Sequence, residues 1–99
     1  MSSDPDQLLV RAARDGDLRA FEQLVERHRD VVFRVVARLV ADDAEAEDLT
    51  QDTFLRAFHR LERYRGDAPF RSWLLRIAHN TALEFSAPPR ACAGDATRR

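Results

Sequence analysis

Two groups of side chains in the second half of the chain could together hold an unstacked nucleic-acid base. One group is residues 64–67 (YRGD), which have the composition of a loop, and the other lies on the helix predicted after it. There Trp73, Arg76 and Asn80 follow one another at i, i+3 and i+7, so their side chains project from one edge. An aromatic face can stack on a base, an amide can pair with its edge, and a guanidinium can bind phosphate. This combination predicts a site for single-stranded nucleic acid.

The helical members of this group also have an ordinary structural explanation. Trp73 follows Phe70 by three residues, a spacing typical of a helical core. Arg76 and Asn80 are residue types that commonly lie on a solvated helix surface. Periodicity alone leaves base capture and this structural alternative open.

A second candidate surface lies on the helix predicted for residues 43–62. At about 100° per residue, Leu55 points away from the apolar side of that helix. The apolar side carries Thr50, Phe54, Ala57 and Leu61. The neighbours of Leu55 are Asp48, Gln51 and Asp52. An apolar side chain among acids and an amide is typical of a protein-docking patch, although single exposed leucines are also common.

The chain offers no arrangement typical of catalysis or metal binding. Acidic residues cluster within 42–47, where the start of a helix favours negative charge. His59 and His79 have no cysteine or carboxylate at ligand spacing. There is no glycine-rich phosphate loop and no nucleophile elbow. We therefore expect no enzyme activity, no cofactor and no metal site.

Size and charge distribution limit the remaining possibilities. Ninety-nine residues suffice for one domain. The net charge of −1 combines −6 over residues 1–53 with +5 over residues 54–99, which predicts either two different partners or two halves that pair in the fold. Cys92 is the single cysteine, no apolar run could cross a bilayer, and the first residues lack the features of a secretion signal. We expect a cytoplasmic location without membrane association.

Hydrophobic periodicity predicts an all-α fold, a compact four-helix domain over residues 1–86. The helices are expected at about residues 5–14, 18–40, 43–62 and 69–85, and residues 87–99 as a disordered tail or interdomain linker remnant. The expected N-caps are Asp4, Asp17 and Asp42. The expected apolar faces are Leu8, Leu9 and Ala12 on the first helix; Leu18, Phe21, Leu24, Val25, His28, Val32, Val35, Val36 and Leu39 on the second; and Phe70, Leu74, Ile77, Ala78, Thr81 and Phe85 on the fourth.

Three segments, in this order, closely resemble the region 2 domain of extracytoplasmic-function (group IV) RNA polymerase sigma factors. They are residues 46–58 (AEDLTQDTFLRAF), 64–67 (YRGD) and 70–82 (FRSWLLRIAHNTA). Residues 16–21 (GDLRAF) are similar to the start of that domain, and the similarity covers about residues 6–85.

The resemblance implies a domain of transcription initiation. In this family a region 2 helix docks on the coiled coil of the RNA polymerase β′ clamp. The following loop and helix recognise the minus-ten promoter element as non-template single-stranded DNA, with one base flipped into a pocket. An anti-sigma factor is a further implied partner. The matching polymerase-binding positions are Asp48, Gln51, Asp52 and Leu55. The positions that match the DNA-binding pocket are Tyr64, Arg65, Gly66, Asp67 and Asn80, and Trp73 would lie beside it as a support or a stacking surface. Arg76, on the same helix edge, belongs to the predicted DNA-binding set through its spacing.

The chain departs from the family pattern in three ways, and two of these, the missing basic turn and the missing second domain, favour an alternative function. Ala68-Pro69 stands where Ser or Thr is common, and residues 85–89 replace a basic turn, which predicts weaker phosphate contacts. The chain is also too short for the family's second, helix-turn-helix domain, so we expect an excised domain, a truncated product or a stand-alone domain. The alternative function is a protein-interaction module, a decoy that occupies polymerase or an anti-sigma factor without reading DNA.

Overall fold

The computed structural model describes residues 5–86, with side chains over residues 5–85. Within that range the chain forms α1 (Gln7–Arg14), α2 (Leu18–Ala37), α3 (Asp43–Arg60) and α4 (Phe70–Ser86), with a 3-10 turn (Leu61–Arg63) after α3. No strand occurs between residues 5 and 86, so the predicted all-α, four-helix fold is confirmed. The Asp4 cap and the tail over residues 87–99 lie outside the described residues.

The starts of α2 and α3 follow from local side-chain chemistry. The Asp17 carboxylate accepts hydrogen bonds from the amides of Arg19 at 3.0 Å and Ala20 at 3.3 Å. The Asp42 carboxylate accepts one from the amide of Ala44 at 3.1 Å. Both caps were predicted, because a short acidic side chain satisfies helix-start amides that have no carbonyl partner. Each such cap contributes about 1 kcal/mol to stability.

Asp6 lies directly before α1, and its side chain bonds to α2 instead of capping α1. Its carboxylate makes no hydrogen bond to the first amides of α1. One oxygen lies 2.7 Å from His28 Nε2, and the other lies 3.1 Å from Arg27 Nε. His28 is buried, as predicted, and its ring packs against Phe70 at a centroid distance of 5.6 Å. This buried pair joins the start of α1 to the middle of α2.

The buried face of α1 differs from the predicted one. Val10 and Ala13 are buried, whereas Leu8 is 78% exposed, so the prediction was wrong for Leu8. Asp6 is the physical reason. Residues four and seven positions after Asp6 share its side of the helix, so docking Asp6 against α2 turns Val10 and Ala13 inward.

α2 lies at the centre of the domain, because it packs against α1, α3 and α4. Its buried positions are Ala20, Leu24, His28, Val32 and Val36. The helix ends at Ala37, earlier than predicted, because the Leu39 amide bonds to the Val36 carbonyl and tightens the last turn. Leu18, predicted on the apolar stripe, is 61% exposed, and that part of the prediction was wrong.

α3 and α4 pack together and bury two threonines without leaving their hydroxyl groups unpaired. Thr53 donates to the Leu49 carbonyl and Thr81 to the Ile77 carbonyl, both at 2.7 Å. The predicted apolar face of α4 is buried except for Phe85, which is half-exposed and was wrongly predicted as core. Phe85 lies in the last turn of α4, and a helical face is buried only along the length that other elements cover.

Residues 5–86 contain no helix long and apolar enough to cross a membrane. Over the same part of the chain, His, Cys, Asp and Glu side chains form no group of three that could hold a metal ion.

Candidate nucleic-acid and protein interfaces

The loop between α3 and α4 forms one wall of a cleft, and α1 forms the opposite wall. The cleft encloses about 450 Å³, within the range of about 300–1,000 Å³ that is usual for ligand sites. The loop side consists of Tyr64, Arg65, Gly66, Asp67, Ala68 and Pro69. The opposite side consists of Pro5, Gln7, Val10, Arg11 and Arg14. The four loop residues named from the sequence therefore line one cavity.

Tyr64 anchors this loop to the helical core. Only 7% of it is exposed, and its ring packs against Phe70 at 5.9 Å and Trp73 at 5.1 Å between centroids. Its hydroxyl donates a hydrogen bond to the Ala68 carbonyl, so the side chain links the first residue of the loop to its other end. In this position Tyr64 shapes the cleft and does not offer an open ring face.

Two further contacts and one backbone angle define the loop. Arg14 Nη2 donates to the Tyr64 carbonyl at 2.8 Å, across 50 positions of sequence. Gly66 adopts φ +84°, a conformation that glycine takes without strain, and a Cβ there would meet no atom within 4 Å. Arg65 Nε lies 3.9 Å from an Asp67 carboxylate oxygen, and both side chains are exposed.

The helical members of the predicted nucleic-acid site divide into two groups. Trp73 is half-buried and supports Tyr64, as described above. Arg76 and Asn80 are exposed on α4, but neither lines the cleft. With a rise of about 1.5 Å per residue, Asn80 lies roughly 10 Å along α4 from Trp73. The loop group and the outer edge of α4 are therefore adjacent features, and the cavity does not contain both.

The cleft is electropositive in a chain whose net charge is −1. Its charged lining consists of Arg11, Arg14 and Arg65 against Asp67 alone. An excess of guanidinium groups in a concave site favours an anionic ligand. Arg11 and Arg14 were not among the predicted site residues, because nothing in their spacing indicates that α1 approaches a loop some 50 residues later.

The second surface is an apolar groove of about 540 Å³ between α2 and α3. Leu55 lies there and is 58% exposed, as its helical phase predicted. Phe21 and Phe58 form part of the groove, with ring centroids 5.1 Å apart in an edge-to-face arrangement. The complete lining is Leu18, Phe21, Glu22, Val25, Arg29, Thr50, Gln51, Phe54, Leu55 and Phe58.

The polar residues predicted around Leu55 have different environments. Gln51 is exposed and lines the groove, whereas Asp48 is exposed outside it. Asp52 lies 3.3 Å from Arg56, which also contacts Glu84 of α4 at 3.0 Å. The apolar part of this surface extends to Leu18 and Phe58, which the sequence reasoning did not assign to it.

Comparison with known proteins identifies the family. The Sigma-70 region 2 family matches residues 24–86. The chain is 40% identical over 82 residues to the RNA polymerase sigma-H factor of Pseudomonas aeruginosa, covering 83% of this chain and 42% of that protein. It is also 40% identical over 80 residues to the ECF RNA polymerase sigma-E factor of Escherichia coli K12, covering 81% of this chain and 41% of that protein. The chain thus spans about two fifths of the length of these curated relatives.

Solved structures agree with this assignment. The NMR structure of an engineered region 2 of sigmaE in complex with GTAAAA matches with a TM-score of 0.77 and 36% identity, over 86% of this chain and 90% of that chain. The structure of CnrH in complex with the cytosolic domain of CnrY matches with a TM-score of 0.74 and 37% identity, over 80% of this chain and 51% of that chain. Sigma factors are transcription initiation factors and not enzymes, in agreement with the sequence prediction. The chain therefore belongs to the Sigma-70 region 2 family, as a region 2 domain of the extracytoplasmic-function type.

Proposed function

We propose that this domain recognises the minus-ten promoter element as a melted, non-template single strand, with one base flipped into the cleft between the loop and α1. The observation that supports this most directly is the cleft itself, which three arginines line in a fold whose solved relative binds GTAAAA. A concave site with excess positive charge suits a nucleotide, since the base needs an enclosed space and its phosphates need cations.

Each part of the loop has a role in this proposal. Tyr64, held by Phe70 and Trp73, forms the floor of the cleft. Gly66 leaves the backbone open to a ligand, because it has no side chain and no atom lies within 4 Å of the position a Cβ would take. Arg65 and Asp67 offer charged groups at the rim. Extrusion of the base costs little free energy here, because melted DNA has already lost its base pairing.

The outer edge of α4 extends this binding surface beyond the cleft. Asn80 can donate to and accept from a base edge, and Arg76 can bind a phosphate. Both are exposed and lie further along the same helix as Trp73. We assign them to nucleotides next to the flipped base.

The groove between α2 and α3 is the proposed docking surface for the β′ clamp of RNA polymerase. Leu55 and Phe58 supply exposed apolar area, and Gln51 supplies a hydrogen-bonding amide. Asp48 and Asp52 lie at the margin of this surface, where charges influence association rate and orientation. Because the domain would act on RNA polymerase, we propose that it works in the cytoplasm.

A direct test measures binding of this domain to a fluorescent single-stranded oligonucleotide that contains GTAAAA. The matched control is an oligonucleotide of the same composition in scrambled order. We expect several-fold tighter binding of the GTAAAA strand, and affinities for both strands that fall as salt increases. Equal affinity for the two strands at low salt contradicts the DNA-reading proposal.

The apolar groove also favours a second candidate, a protein-interaction module that does not read DNA. The related CnrH structure is a complex with the cytosolic domain of CnrY, so this fold can bind a protein partner. In that case the domain would retain polymerase or anti-sigma binding through Leu55 and show no sequence dependence with single-stranded DNA. The oligonucleotide comparison separates the two candidates.

A further inference from the structure

We propose that α1 is part of the nucleic-acid site, with Arg11 binding a phosphate of the captured strand and Arg14 positioning the loop that receives the base. This inference rests on the proposed function and extends it to a helix that lies some 50 residues before the loop. It assigns one role to each arginine, and the two roles have different experimental signatures.

The case for Arg14 is its hydrogen bond to the backbone of the loop. Its Nη2 donates to the Tyr64 carbonyl at 2.8 Å, at the point where the chain leaves the 3-10 turn. The Tyr64 ring is already held by Phe70 and Trp73, and its hydroxyl bonds to Ala68. Arg14 adds the backbone contact, so the first residue of the loop is held through its ring, its hydroxyl and its carbonyl.

The case for Arg11 is its position and the absence of a carboxylate partner for it within residues 5–85. Arg11 precedes Arg14 by three residues, so both side chains lie on the same side of α1, and both line the cleft. None of the ion pairs within residues 5–85 involves Arg11, whereas Arg65 on the opposite wall faces Asp67 at 3.9 Å. An exposed guanidinium at the edge of an electropositive cleft is well suited to a phosphate.

The anchoring of α1 makes this wall a stable element of the site. Asp6, directly before α1, lies 2.7 Å from His28 of α2 in the core. Val10 and Ala13 are buried on the same face. Because these contacts fix the rotation of α1, Arg11 and Arg14 are directed toward the loop side.

The test compares R11Q, R14Q, R14K and the control R19Q in the oligonucleotide assay. Arg19 is an exposed arginine of α2 that lies beside Glu22 and Glu26, away from the cleft, so R19Q removes the same charge elsewhere. We expect R11Q to weaken binding of GTAAAA and scrambled strands equally and to reduce the salt slope by about one, the signature of a lost phosphate contact. R19Q should change neither quantity.

R14Q should reduce the preference for GTAAAA over the scrambled strand several-fold, and R14K, which keeps a cationic donor, should restore most of it. Amide chemical shifts make this test independent of overall stability. In R14Q the signals of residues 64–67 should move while those of α2 stay in place. Changes spread through the whole domain overturn the positioning role.

The possible results distinguish a failure of the roles assigned to Arg11 and Arg14 from a failure of the proposed function. If the wild-type domain prefers GTAAAA but R11Q matches R19Q, the phosphate role of Arg11 is overturned. If R14Q keeps the wild-type preference, the role of Arg14 is overturned. If the wild-type domain shows no preference, the proposed function fails, and the role of α1 fails with it.

Discussion

The rings of Tyr64 and Trp73 lie against each other, with centroids 5.1 Å apart and planes inclined at 47°. Both rings also contact Phe70, at 5.9 Å and 5.6 Å. Three aromatic side chains therefore form a continuous support beneath the loop. Because Trp73 is half-buried and packs against both of these rings, it is better suited to hold Tyr64 in place than to stack on a base.

Replacing Trp73 tests this supporting role. We expect Trp73→Ala to lower the free energy of unfolding by about 2 kcal/mol, less than a fully buried tryptophan would lose, because Trp73 is half-buried. Trp73→Phe should retain most of the stability, since one ring remains against Tyr64. Urea denaturation measures both. A Trp73→Ala variant of unchanged stability that binds single strands poorly would instead indicate a stacking surface.

Leu55→Arg should abolish polymerase binding and leave the fold intact. Leu55 is 58% exposed, so the substituted guanidinium can reach water, yet it would place a charge in the apolar groove. Leu8→Arg is the matched control, because Leu8 is 78% exposed on α1 and lies outside the groove. Retention on immobilised core polymerase measures docking, and circular dichroism with urea measures folding. Unfolding of Leu55→Arg would count against a surface role.

Asn80→Ala should change base preference more than overall affinity. The Asn80 amide can read a base edge, whereas it carries no charge for the phosphates that dominate affinity. A panel of single-stranded oligonucleotides, each with one base of GTAAAA changed, measures the effect. His79→Ala, an exposed neighbour on α4, serves as the control. An equal loss of affinity for every strand would argue for a purely structural Asn80.

Gly66→Ala should destabilise the loop through its backbone alone. Gly66 has φ +84°, which is unfavourable by about 1–2 kcal/mol for a residue with a Cβ, and no atom lies within 4 Å of the position a Cβ would take. Gly66→Asn should have a smaller effect, because asparagine tolerates this region better. The midpoint of urea unfolding should be highest for the wild-type glycine, lower for the asparagine variant and lowest for the alanine variant. Equal midpoints for the asparagine and alanine variants would mean that the loop relaxes to another conformation.

Features that depend on neighbours within one or two helical turns were predictable from the chain alone. The caps at Asp17 and Asp42 follow from a short acidic residue placed before helix-forming sequence. The outward direction of Leu55 follows from helical periodicity about a single axis. The motif at residues 64–67 predicts a loop and a candidate site on it.

Features that depend on the placement of one helix against another required the tertiary structure. Asp6 contacts His28 across 22 positions of sequence, and Arg14 contacts Tyr64 across 50. Neither spacing indicates in the sequence that the two residues are in contact. Phe85 lies on the predicted face of α4 and is nevertheless half-exposed, and Leu18 borders a groove instead of lying in the core. Helical periodicity gives the direction of a side chain around its own axis. Whether another element covers that side chain, or an arginine from a distant helix reaches it, depends on packing between helices, which the order of residues within one helix does not specify.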